Sequence, residues 1–138
     1  MNIHAAGTFD VTINPQPAYD TAEGTSLVRV SIDKQVHGDL EATSTVEMLS
    51  AVTEVEGSAG YVAIERVSGT LHGRRGSFVL QHSGTMTRGK GELSVSVVPD
   101  SGTAELKGIA GSMSIEVVDG KHLYGFDYTL KPSPAATS

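Results

Sequence analysis

The chain has 138 residues, enough for one domain that buries about two thirds of its unfolded surface. It contains no Cys, which excludes disulfides, thiolate metal sites and thiol nucleophiles. Its 16 acidic and 10 basic residues give a net charge of -6, and the Lys and Arg are scattered from Arg29 to Lys131, which excludes a phosphate-tracking nucleic-acid surface.

In chain order, "GTFDVTI" places Phe9, Val11 and Ile13 on one face of a strand. "INPQPAYDTAEGT" follows, with two prolines and several turn residues, and is expected to be a loop acting as a flap at a barrel mouth. "LVRVSIDKQV" alternates again, with Val28, Val30, Ile32 and Val36 together. "STVEMLSAVTEV" and "AGYVAIERVSGTL" carry apolar residues on both parities, which implies that the outer face is covered by a second layer or a neighbouring subunit. In "GSFVLQHSGTM", Phe78, Leu80, His82 and Met86 share one face, and Val79, Gln81, Ser83 and Thr85 the other. "GELSVSVV" groups Leu93, Val95 and Val97. A short strand is expected around Thr103 to Lys107, another with Met113, Ile115 and Val117, and a last one with Tyr124, Phe126, Tyr128 and Leu130. Turn signals separate these runs at Glu23-Gly24, Gly57-Ser58, Gly73, Gly89-Lys90-Gly91, Gly108 and Asp119-Gly120.

No window combines helical periodicity with a capping signature, so the class is all-β. Glycines inside the strand patterns, at Gly69, Gly84 and Gly125, suit strongly bent strands and favour one antiparallel barrel of eight or nine strands over a sandwich. The barrel is expected over residues 1–131, with a disordered tail over 132–138. The opening residues lack a basic leader and an apolar signal run, and nowhere do about 18 uncharged apolar residues follow one another. A cytoplasmic protein with no membrane contact is expected.

Catalytic signatures are sparse. "GTMTRGKG" departs from a phosphate-binding loop because Gly91 stands where a magnesium-binding hydroxyl belongs and a strand follows, so it reads as a hairpin turn. The five histidines show no metal-ligand spacing, and no Gly-x-Ser-x-Gly elbow exists; no metal and no cofactor are expected. "VVPDSGT" begins as an aspartic peptidase loop would, with Asp100 as the acid, and would require a dimer. Only 36 residues follow Gly102, too few for the second half of that fold. His82 lies on an apolar parity, which turns its imidazole inward, where it can act as acid, base or donor. Glu65-Arg66 sends one charge to each face. Tyr124 and Tyr128 share the apolar face of the last strand, and Glu47 interrupts another apolar run.

"YVAIERVSGTLHGRRGSFVLQHSGTM", together with "SVVPDSGTAELKGIAGSM" and "HLYGFDYTL", resembles the bacterial domain-of-unknown-function family 3224. "SGTAELKGIAGSMSIEV" also resembles a pattern near the C-terminus of allene oxide cyclase and dirigent-type barrels. The resemblance implies a calycin-like antiparallel barrel, and in allene oxide cyclase such a barrel binds an unstable fatty-acid epoxide in its cavity.

The expected function is therefore the binding of a small, partly apolar molecule inside the barrel, with His82, Glu65, Arg66, Tyr128, Glu47 and Gln81 as polar contacts. Three alternatives stand beside it. One is an isomerase or cyclase using His82 or an interior Glu such as Glu65 as the catalytic group. The others are a dimeric peptidase working through Asp100 and a structural homo-oligomer without a ligand.

Overall fold

Every long period-2 run becomes a strand in the computed structural model of the chain, which describes residues 2–130. The strands are β1 (Ile3–Pro15), β2 (Ser26–Gly38), β3 (Leu40–Val52), β4 (Ala59–Leu71), β5 (Arg74–Thr87), β6 (Lys90–Val97), β7 (Ala110–Val118) and β8 (Lys121–Thr129). Each pairs antiparallel with the next, and β8 returns to β1 from Ile3↔Tyr128 to Phe9↔His122, which closes the barrel. The expected tail over 132–138 lies outside the described residues.

The turns follow from residues that tolerate positive φ. His72-Gly73, Arg88-Gly89 and Asp119-Gly120 each join two strands with both residues left-handed (φ 46 and 81, 47 and 91, 50 and 78). This is the two-residue turn whose twist matches that of the flanking strands. Arg-Gly in "GTMTRGKG" is thus a hairpin.

Where the ninth strand was expected, the chain instead makes a 3-10 turn at Ala104–Leu106. Ala104 has a φ of 51, which no strand accepts, and the Leu106 N–H donates to the Thr103 carbonyl at 2.9 Å. The turn buries Leu106 and Ile109 against β5 and plugs one end of the barrel beside Leu40, Leu71 and Phe78. Gly76 lies under it, because a Cβ there would come within 2.3 Å of the Thr103 carbonyl oxygen.

Inward residues near the plugged end are sealed, with Leu40 1% and Leu71 0% exposed. At the opposite, splayed end, residues of the same parity reach solvent: Ile13 is 57%, Leu93 44% and Val117 64% exposed. The loop between β1 and β2 folds back at this end, its Tyr19 N–H donating to the Leu27 carbonyl at 2.9 Å.

Tyr124 ties β8 to the β2–β3 corner. Its hydroxyl accepts from the Leu40 N–H at 3.0 Å and donates to the His37 carbonyl at 3.1 Å, and burial pushes the phenol above its ordinary range. Tyr124→Phe is expected to cost about 1–3 kcal/mol, because it strands a buried backbone donor. Urea unfolding at neutral pH measures it.

Candidate functional site

Four polar side chains meet inside the barrel. Lys34 follows Val30 and Ile32 on the inward parity of β2, Ser44 does the same on β3 between Ala42 and Val46, and Glu65 and His82 point inward from β4 and β5. The Glu65 carboxylate is their common partner. Its Oε1 meets His82 Nε2 at 2.7 Å and accepts from Lys34 Nζ at 3.2 Å, while Oε2 accepts from Ser44 Oγ at 2.6 Å. Lys34 Nζ also sits 4.6 Å from the centre of the Phe9 ring.

Burial is the largest influence on the Glu65 carboxyl and pushes its pKa up. The bond from His82, the charge of Lys34 and the bond from Ser44 together overcome that and hold it below the usual 4.5. A carboxylate gripping an imidazole is a common acid-base arrangement. Here, however, the enclosed space bounded by Phe9, Lys34, Glu65, Leu80, Met113 and Tyr124 measures about 10 Å³. That is room for one water. The expected ligand-sized interior is filled instead, because Phe9, Phe78, Phe126 and the aliphatic residues pack an eight-stranded barrel across its width.

Ligand-sized space lies on the outside. It lies against the outer face of β2 to β5. A groove of about 550 Å³ runs there over Leu49, Val62 and Ile64, bordered by Arg29, Glu47 and Gln81. A shallower space of about 350 Å³ continues it past Tyr19, Leu27 and Ala51. The floor is apolar and open, with Leu49 48%, Val62 54% and Ile64 51% exposed. At its edge Arg29 donates through Nε to Glu47 Oε1 at 3.0 Å, and Ser31 Oγ reaches both Glu47 oxygens at 3.0 and 3.1 Å. The bonds from Arg29 and then Ser31 hold the Glu47 carboxyl below its ordinary range.

The polar contacts expected inside the barrel therefore separate. His82 and Glu65 come together in the interior, and His82 also lines the groove from its own strand; Glu47 and Gln81 face the opposite way and border the groove from outside. Arg66 points outward as well, into a polar patch with Asp33, Thr43 and Thr45, because Glu65 takes the inward parity. Tyr128 is buried, but towards the plugged end, where its hydroxyl meets His72 Nδ1 at 2.6 Å. Asp100 adopts a φ of 64 after Pro99, in a turn closed by the Ser101 N–H donating to the Val98 carbonyl at 3.1 Å. That is a surface turn, with Asp100 exposed to solvent. Sequence reasoning missed Lys34, Ser44 and Arg29. Parity placed Lys34 with Val30, Ile32 and Val36, and that was the available signal.

Among the described residues no three His, Asp or Glu side chains gather as metal ligands, and no helix is long and apolar enough to cross a membrane. Residues 5–128 match the family described as "Protein of unknown function (DUF3224)". The chain is also similar to the crystal structure of a protein of unknown function from the DUF3224 family of Shewanella oneidensis MR-1. The two are 50% identical, with a TM-score of 0.90 over 96% of this chain and 100% of that one. No curated protein matches the chain.

Proposed function

We propose, for a chain that belongs to the DUF3224 family, that the groove across the outer face of β2 to β5 binds a small, uncharged, partly apolar molecule. The observation that carries this reading is the groove itself: about 550 Å³ over three large apolar side chains that the fold leaves half exposed. Organic ligands occupy sites of roughly 300–1,000 Å³ with mostly apolar walls and a few polar groups. The charge preference follows from the rim. Arg29 is already neutralised by Glu47, so the groove presents no unmatched charge, and Gln81 supplies an amide that both donates and accepts.

Nile red, an uncharged apolar dye, tests it. Wild-type protein is expected to enhance its fluorescence, and Ile64→Glu to weaken binding by about tenfold or more, since a charge on the groove floor must be desolvated. Equal binding by Ile64→Glu rejects the groove. Ile64→Ala serves as a control for folding and is expected to cost less than about 1 kcal/mol, because half of that side chain is in water already.

A second reading, a homo-oligomer packed across this face, is favoured by the continuity of Leu27, Leu49, Ala51 and Val62 with Tyr19. It predicts a mass in solution above that of one chain, and a lower mass for Ile64→Glu. A strict monomer at high concentration removes it. The isomerase reading draws no support from a cluster with room for one water, and the peptidase reading none from a lone Asp100 in a surface turn.

A further inference from the structure

We propose that the seam between β6 and β7 is a strand-addition site for an extended peptide segment of another protein, one with apolar residues at alternate positions and basic residues between them. β6 pairs with β5 from Leu80↔Val97 to Thr87↔Lys90, and β7 pairs with β8 from Ala110↔Thr129 to Val118↔Lys121. Between β6 and β7 themselves the ladder holds only Ser96↔Ser112. The ladder along that seam therefore holds at one position, while β6 and β7 stay side by side in the closed sheet.

The register gives a reason. Continued from Ser96↔Ser112, the ladder would set Ser94 opposite Ser114 and Glu92 opposite Glu116. Like charges directly opposite on one face of an antiparallel pair are destabilising. Both Glu92 and Glu116 are exposed on the outer face, with no ion-pair partner among the described residues. Zipping the seam shut would press two carboxylates together. Leaving it open exposes the inward-parity side chains of Leu93 and Val117 and leaves two stretches of backbone donors and acceptors without a ladder partner.

An incoming strand resolves each of these. Its backbone completes the ladder of one or both edges, as in recognition by strand addition. Its alternate apolar residues turn inward onto Leu93, Ile115 and Val117. The residues between them face outward, where a Lys or Arg lies between Glu92 and Glu116 and converts a repulsion into two attractions. The charge pattern selects a basic segment over an acidic one.

The test uses the full chain and two synthetic peptides, acetyl-Val-Lys-Val-Arg-Val-Thr-amide and its counterpart with Glu at both basic positions, each at about 1 mM. The readout is hydrogen exchange at the amides of residues 91–95 and 113–117. The basic peptide is expected to slow these by about tenfold or more, and the acidic one to leave them unchanged. The variant Glu92→Gln with Glu116→Gln is expected to lose that preference, and to exchange more slowly at the seam without peptide because the ladder can then extend. No slowing by the basic peptide, or equal slowing by both, overturns the proposal. Protection that exists without peptide and falls on dilution identifies a second copy as the occupant and overturns it too.

Discussion

Glu65→Ala is expected to destabilise the protein by about 3–5 kcal/mol, one of the two largest effects of any single substitution proposed for this chain. The carboxylate is 2% exposed, and it is the hydrogen-bonding partner of Lys34, Ser44 and His82 at once. Its removal leaves a buried ammonium group, stacked over the Phe9 ring, without its ion-pair partner. Urea unfolding at neutral pH measures the loss. Replacing the cluster together, as Lys34→Met, Glu65→Leu and His82→Leu, is expected to recover most of it, because a hydrophobic filling of similar volume avoids desolvating the charges. A triple variant no more stable than Glu65→Ala would mean that the cost lies in packing and not in the stranded charge.

The same carboxylate gives the folded state a defined acid limb. Its pKa in the folded protein is held below the usual 4.5, so its ionised form stabilises the fold at every pH above that value. The contribution fades as pH falls through the depressed folded value, where the unfolded chain binds the proton more readily. Between neutral pH and the acid range, the stability gap between wild type and Glu65→Ala should therefore narrow as pH drops below 4.5. A gap that is constant across that range would dissociate Glu65 from acid lability.

Phe126→Ala is the second large effect, also about 3–5 kcal/mol. The ring is 0% exposed and lies between Phe78 and Tyr128, with ring centres 5.6 and 5.3 Å away. Its neighbours are held by their own strands and cannot collapse into the space, so both the lost burial and the cavity contribute. For a domain of this size the midpoint of thermal unfolding should drop by roughly 10–20 °C. Calorimetry checks it; a drop of only a few degrees would show that the interior can repack.

Much of the barrel is legible from local pattern. Phe9 and Val11, Phe78 and Leu80, and Tyr124 and Phe126 announce their faces by period two, and Asp119-Gly120 or Gly73 announce their turns, because alternation and positive φ are properties of a few neighbouring residues. The inward turn of His82 and the opposite faces of Glu65 and Arg66 followed from the same parity. Thr103 to Lys107 misled because its composition suits a strand while the left-handed Ala104 does not, and that φ is imposed by packing Leu106 under the end of the barrel.

The amino-acid sequence by itself determined the class, most of the approximate strand boundaries and which residues within a strand share a face, as with Phe78, Leu80 and His82 on β5. Tertiary structure alone decided what those sides are worth. Whether the interior holds a ligand depends on how the volumes of side chains from eight strands add up, and beside Glu65 they leave about 10 Å³. That Lys34, Ser44 and His82 share one carboxylate depends on register between strands far apart in the chain. The groove over Leu49, Val62 and Ile64 brings together residues of β3 and β4, and an extended ladder between β6 and β7 would set Glu92 opposite Glu116. These are sums and juxtapositions over distant residues, and no local window contains them.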